Sequence, residues 1–341
     1  GTANLTAPVV ACTSAAPVGA FSGTIFTILD TRNITLRRLN ISGGVGVFMQ
    51  DSRGTFSSVN INGSRSEGLS VQGASSLTLM GGTLSGPSPG VFEATPNTVT
   101  NSCGNGINVG PGASVVFAML GTISGNAGAG VIVNGGTFAA SGCCVVENVG
   151  SVVIENNRAG ISVGVSGGSA SVNGGSTCSG SPGTAAIRNN KEWGVIASGP
   201  SFFGLNGMVT LEGNQSAPTS ATALAYRSAI YGNYGATIFV TPGAVIRTTN
   251  AGAGVIVDAQ SKLRLGSLPP SLPPGAPCTQ PTYPNASITM NGDDGIRATN
   301  LSFMEILSTT NVMSNAGKDA KCDDTSVLSG IKSGVGSNKC K

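Results

Sequence analysis

A single degenerate repeat limits what this chain can fold into. Each copy has an Asn, a short spacer, a Gly, and an apolar-x-apolar strand. It reads Asn126-Ala-Gly-Ala-Gly130-Val-Ile-Val133, Asn157-Arg-Ala-Gly160-Ile-Ser-Val163 and Asn190-Lys-Glu-Trp-Gly194-Val-Ile-Ala197. It returns as Asn250-Ala-Gly-Ala-Gly254-Val-Ile-Val257 and Asn291-Gly-Asp-Asp-Gly295-Ile-Arg-Ala298. Earlier copies are Ser66-Glu-Gly68-Leu-Ser-Val71 and Asn105-Gly106-Ile-Asn-Val109, with weaker ones around Gly46 and Gly235. Intervals of roughly 20 to 40 residues are those of stacked arrays, in which no unit buries its apolar face alone. Turns follow the copies, at Gly73-Ala74, Pro111-Gly112-Ala113, Gly135-Gly136, Gly167-Gly168, Gly199-Pro200 and Pro242-Gly243-Ala244. Between turns the apolar residues alternate, as half-buried strands do. The expected fold is all-β: a solenoid of roughly 10–13 coils, each adding about 4.8 Å. Asn before each Gly is expected at a corner, where it tolerates left-handed backbone and can ladder its amide to the next coil. No helix is expected beyond a short turn near either end.

Residues 1–20 lack the repeat and read as an N-terminal cap; 21–317 read as the coils, interrupted by a Pro-rich insertion at 267–284. Residues 318–341 hold Lys318, Lys321, Lys332, Lys339 and Lys341 and read as a C-terminal cap. An array needs caps, because a bare terminal coil exposes apolar surface and unpaired strand edges. Gly1 carries neither Met nor a basic leader, so a secretion signal is expected outside these residues. No apolar run is long enough to span a bilayer, so direct membrane insertion is not expected.

Charged residues are only 10% of the chain and the net charge is +3. The basic excess sits at the C-terminal end without interleaved aromatics, which argues against a nucleic-acid partner. Eight cysteines accompany no His: Cys12, Cys103, Cys143, Cys144, Cys178, Cys278, Cys322 and Cys340. Zinc sites are disfavoured by that composition, and disulfides in an oxidising compartment are favoured. Their shared segment makes Cys322–Cys340 the first pairing to expect. Neighbouring strand side chains point apart, so Cys143 and Cys144 should take different partners. Sequons for N-glycosylation stand at Asn4, Asn33, Asn40, Asn62, Asn214, Asn285 and Asn300. Their number is what chance gives, so they do not by themselves argue for glycosylation. No metal and no cofactor is expected. Serine–histidine catalysis is excluded by composition, and a cysteine nucleophile would lack its histidine base.

One region holds the only Trp and three of the four Tyr: Trp193, Phe202, Phe203, Tyr226, Tyr231, Tyr234 and Phe239. Two readings stand. Trp193, Tyr226, Tyr231 and Tyr234, helped by Arg227 and Glu192, form an exposed platform for sugar rings. Alternatively the rings fill the interior. Trp193 precedes a corner Gly and is expected outside the core; the phenylalanines are expected inside.

On these residues the chain resembles the right-handed parallel β-helix, or pectate-lyase-like, superfamily. That group includes pectate lyases, polygalacturonases, adhesins, tailspikes and noncatalytic surface proteins. Polygalacturonase-type members carry Asn-Thr-Asp, Asp-Asp, Gly-His-Gly and Arg-Ile-Lys. This chain offers only Gly292-Asp293-Asp294-Gly295, and Gly330-Ile331-Lys332 lacks the Arg. Asp293 and Asp294 are expected on opposite strand faces or in a turn bonding backbone amides, whereas glycoside hydrolysis needs two positioned carboxylates. A lyase-type Ca²⁺ site would need several acids gathered by stacking, such as Glu147 with Glu155 or Glu192 with Glu212. The expected function is a secreted, disulfide-stabilised structural or adhesive protein, extracellular or at a cell surface. Its partners would be glycans, further copies of itself or neighbouring surface proteins. A polysaccharide-active enzyme and a noncatalytic glycan-binding module are the alternatives.

Overall fold

The computed structural model describes residues 3–6, 26–81, 83–84, 92–93, 95–141, 151–164, 166–174, 183–247, 252–266, 284–307, 310–330, 333 and 335–340. Apart from Pro284, the Pro-rich insertion lies outside them, as do Cys12, Cys143, Cys144, Cys178, Cys278, Glu147 and Asn250.

The chain winds through three parallel ladders per coil. The first ladder is a twelve-stranded parallel sheet running from Phe26–Leu29 to Asn338–Lys339. Its middle rungs are Ala129–Val133, Ala159–Val163, Val195–Ser198, Ser228–Asn233 and Ala253–Val257. The second ladder follows in each coil, with Ser114–Ala118, Thr137–Ser141, Ser169–Asn173, Phe202–Asn206 and Thr237–Val240 among its rungs. The third has Gly121–Ser124, Ser151–Glu155, Thr184–Arg188 and Val209–Glu212, and Ala3–Thr6 is already one of its rungs. Two long strands, Ile34–Ser42 and Arg53–Asn62, serve both the second and third ladders. Each bends at one left-handed residue, Arg38 or Ser58. Twelve rungs make this a parallel β-helix on the order of 50 Å long, at about 4.8 Å per coil.

In-register stacking places like on like. One column of the first ladder runs Leu69, Ile107, Val131, Ile161, Val195, Ile230, Val255 and Ile296. All are fully buried, together with Phe56, Phe117, Phe138 and Phe203 from the second ladder. Burying each such side chain contributes about 1.5–3 kcal/mol, so the alternation seen in the sequence is also the source of stability.

The repeat has a specific physical origin in the corner before the first ladder. Asn126, Asn157, Asn190 and Asn214 are buried and stacked one per coil. Asn157 Oδ1 accepts from the Asn126 amide N–H (3.1 Å) and from Asn126 Nδ2 (2.8 Å). Asn157 Nδ2 donates to the Ile123 carbonyl at 3.2 Å and to Asn190 Oδ1 at 3.3 Å. Asn291 and Asn315 continue the pattern. Gly is required one coil below. A Cβ on Gly130 would lie 2.7 Å from Asn157 Nδ2 and 2.8 Å from the Gly160 carbonyl oxygen. Asn and Gly therefore recur together because the amide of one coil fills the space that the Gly of the preceding coil leaves.

Four expectations need correction. The left-handed residue is the one before each ladder Asn, as at Gly125, Asn156, Asn189 and Gly213. Gly46 belongs to the Gly column, but Gly235 does not: Ala229 stands over Gly194, and Gly235 turns the next corner. Pro242-Gly243 likewise turns a different corner from the other Gly turns, the one between the second and third ladders. A short helix, Ala221–Ala225, lies mid-chain, with Ser220 Oγ capping the Ala223 amide at 3.1 Å.

At the C-terminal end Lys321 pairs with Lys339 in the last two rungs of the first ladder, so Cys322 and Cys340 are stacked neighbours. Their Cα atoms are 4.8 Å apart and they form a disulfide, the expected pairing. That separation is the natural spacing of adjacent strands, which is why stacked positions can be bridged. Cys103 is also disulfide-bonded, with its partner outside the described residues.

Candidate functional site

The aromatic region divides into three places with different surroundings. Trp193 and Tyr231 lie outside the coil interior yet are only 5% and 2% exposed. They form a second apolar cluster with Ala223, Ala253 and Ile256, and the helix 221–225 supplies Ala223 to it. Tyr231 stacks between its neighbours, 6.0 Å from Trp193 and 4.9 Å from Tyr226, with nearly parallel rings. Trp193 Nε1 donates to the Tyr226 carbonyl at 3.1 Å, and Tyr231 Oη donates to Asp258 Oδ2 at 3.3 Å. Burial, reinforced by Asp258, pushes the Tyr231 hydroxyl well above its ordinary range. Trp193 and Tyr231 are thus an internal stack and not a platform. Tyr226 and Arg227 are half-buried beside it.

Glu192 fixes the segment over this stack. Its Oε1 accepts from the Ser220 amide at 2.9 Å and from Thr219 Oγ1 at 3.1 Å, and its Oε2 meets Arg158 Nε at 3.0 Å. Burial acts to raise this carboxyl, but the Ser220 amide and Arg158 together hold it below its ordinary value.

The second place is the outer face of the second ladder. Phe203 points inward as expected, whereas Phe202 points outward and packs against Phe239, with ring centres 5.3 Å apart. Arg264 lies 5.3 Å over the Phe239 ring and pairs with Glu305 at 2.6 Å.

The third place is a corner groove of about 680 Å³ lined by Tyr234, Ala259, Gln260, Asn300, Leu301 and Thr325. Tyr234 is 69% exposed and Leu301 62%, the two most exposed large apolar side chains among the described residues. The corner follows the first ladder, where Gly112, Gly135 and Gly167 supply positive φ in earlier coils. Here Tyr234, Ala259, Gln260, Asn300 and Leu301 take that geometry instead. Below them Asp258 Oδ1 accepts from Thr299 Oγ1 at 2.8 Å and Asn300 Nδ2 at 2.5 Å. Asp323 accepts from the Asn300 amide at 2.7 Å, and Thr325 Oγ1 from the Leu301 amide at 3.0 Å. Only Tyr234 and Asn300 of this groove were singled out by sequence. Gln260, Leu301 and Thr325 carried no pattern that could have marked them.

The acids do not gather. Asp293 and Asp294 sit in a turn and converge on Arg297, at 2.5 Å and 2.7 Å, so they are not on opposite strand faces. Asp294 also accepts from the Lys318 amide at 2.8 Å. Glu212 faces Arg247 in the third ladder (2.9 Å), far in register from the turn that holds Glu192, so those two glutamates do not align. Glu155 pairs with Arg188 at 2.7 Å. Among the described residues no three metal-ligating side chains come together.

The sequons separate by environment. Asn214 is fully buried in the Asn ladder, where a glycan has no room. Asn4, Asn40 and Asn60 form an amide ladder on the third face, and Asn62 accepts from Thr100 and Asn101. Asn4, Asn33, Asn62, Asn285 and Asn300 are exposed and Asn40 is half-buried. No protein-family model matches the chain, and no curated protein is similar to it in sequence.

Proposed function

We propose that this chain is a structural and adhesive rod working outside the cell or at a cell surface, of the noncatalytic kind that its resemblance to pectate-lyase-like proteins suggests. The observation that carries this reading is the use of its carboxylates. Glu155, Glu192, Glu212, Glu305, Asp293 and Asp294 each face an arginine, so the acids that stacking might have assembled into a catalytic pair or Ca²⁺ site are spent on cross-coil and turn contacts. A disulfide at the last coil suits an oxidising compartment. Incubating the folded protein with polygalacturonate and neutral polysaccharides, with and without Ca²⁺, should release neither reducing ends nor unsaturated products. Release of either would overturn the noncatalytic reading.

A second, compatible reading is a noncatalytic glycan-binding module. The exposed Tyr234 ring at the corner groove favours it, in place of the Trp193–Tyr231 pair, which is buried.

A further inference from the structure

We infer that the corner groove binds a neutral glycan, with one sugar ring stacked on Tyr234 and the chain running along the solenoid axis past Gln260 and Leu301 to Thr325. The inference rests on the glycan-binding reading above and assigns it a site and a ligand class.

In-register pairing of the second ladder aligns Thr237, Lys262, Phe303 and Val327. Counting back equal steps stacks Tyr234, Ala259, Asn300 and Asp324 in one column, and Gly235, Gln260, Leu301 and Thr325 in the next. The groove is therefore a track across four successive coils. At its first step a Cβ on Gly235 would meet nothing within 4 Å, so the space beside the Tyr234 ring is open. A pyranose presents an apolar C–H face and a rim of hydroxyls. The Tyr234 ring and Leu301 match the face; the Gln260 amide and the Asn300 carboxamide oxygen match the rim, while the Thr325 hydroxyl donates to Asp323 at 2.9 Å and offers only an acceptor site.

Charge selects the ligand class. None of the lining residues is charged; beside them in sequence stand Asp258, Asp323 and Asp324 in the turns and Lys262 at the start of the following strand. The acidic balance disfavours a polyuronate and leaves an uncharged glycan unaffected. Backbone strain marks the same corner. Ala259, Gln260 and Leu301 adopt left-handed φ of 49°, 66° and 64°, where other coils use Gly112, Gly135 and Gly167 or the left-hand-tolerant Asp30 and Asp51. Side chains retained in that geometry cost stability and suggest selection for what they present.

The test is native affinity electrophoresis of the full chain in gels containing a soluble β-glucan, a galactomannan or polygalacturonate, with thermal unfolding as a check on each variant. The expected result is retardation by at least one neutral polymer and none by polygalacturonate. Tyr234→Ala should weaken that retardation at least tenfold, Leu301→Ala about threefold, and Tyr234→Phe should retain it. Retardation unchanged in folded Tyr234→Ala would overturn the groove while leaving a glycan-binding protein. Stronger retardation by polygalacturonate would overturn the ligand class. No retardation by any polymer would overturn both the groove and the glycan-binding reading.

Discussion

Two corners of the same coil both use left-handed backbone but aim their side chains in opposite directions. At the corner before the first ladder, the side chains of Asn126, Asn157, Asn190 and Asn214 point inward and take up the backbone groups that the bend leaves unpaired. At the corner after it, Tyr234, Gln260 and Leu301 point outward and the bend is held by strained backbone. The inward corner is uniform because each amide must fit the coil above and below. The outward corner is bridged between coils only in places, as where Asp323 and Thr325 take the Asn300 and Leu301 amides, and it is Gly in some coils and a large side chain in others. One corner sets the stack, and the other is free to carry function.

The largest effect should come from breaking the inward corner. Asn157→Ala leaves the Asn126 amide and the Ile123 carbonyl without the Asn157 side chain and takes one of two donors from Asn190 Oδ1, which keeps the residue-157 backbone N–H, and should cost about 2–4 kcal/mol. Urea unfolding measures it. Gly130→Ala should also destabilise strongly, because its Cβ would meet Asn157 Nδ2 at 2.7 Å. Combined with Asn157→Ala, its effect should be smaller than alone; full additivity would show that the Gly does not exist for the amide.

Acid should act on the outward corner and spare the Asn126–Asn157 stretch of the inward one, although Asp319 makes the Asn315 end of that corner acid-sensitive too. Burial acts to raise the Asp323 carboxyl, but the Asn300 amide, Ser326 and Thr325 hold it down at about 2. A carboxyl depressed in the folded state stabilises above its unfolded pKa, near 4, and that contribution disappears as pH falls toward 2. The protection of the Asn300 and Thr325 amides, taken relative to the intrinsic exchange rate at each pH, should therefore fall between about pH 4 and pH 2. The amides of Asn126 and Asn157, whose partners do not titrate, should not respond. Equal loss of protection at both sets of amides would mean that the corners are not independent.

The smallest effect should be a gain. Leu301→Gly removes a left-handed Cβ and no packing, and should raise stability by about 0.5–1 kcal/mol while weakening glycan binding. A loss of stability would show that Leu301 packs in a way its exposure does not suggest.

The solenoid was legible because stacking repeats one environment, and a repeated environment repeats its residues: Val on Val, Asn on Asn, Gly beneath Asn. Trp193 shows where that logic stops. Its place outside the coil interior followed from the repeat, but exposure did not. The segment that covers it, 216–227, is an insertion unique to one coil and has no second copy to betray it. Its local signals were present in Ser220, a helix N-cap followed by Ala-rich sequence. The groove was less legible still, since Gln260 and Leu301 come together only when coils with intervals of different length are brought into register.

The terminal disulfide has a mechanical consequence. Hydrogen bonds between rungs lie along the rod, so tension applied at its ends opens them in sequence, as in peeling, and does not load them all together. At the C-terminal end the last rung of the first ladder is riveted to its neighbour through Cys322 and Cys340. A pull there passes over the short Asn338–Lys339 rung, and the load falls first on the junction between Ala320–Cys322 and Ile296–Ala298. The covalent link thereby moves the rod's point of failure inward, from its weakest rung to one backed by fully buried Ile296 and Ala320.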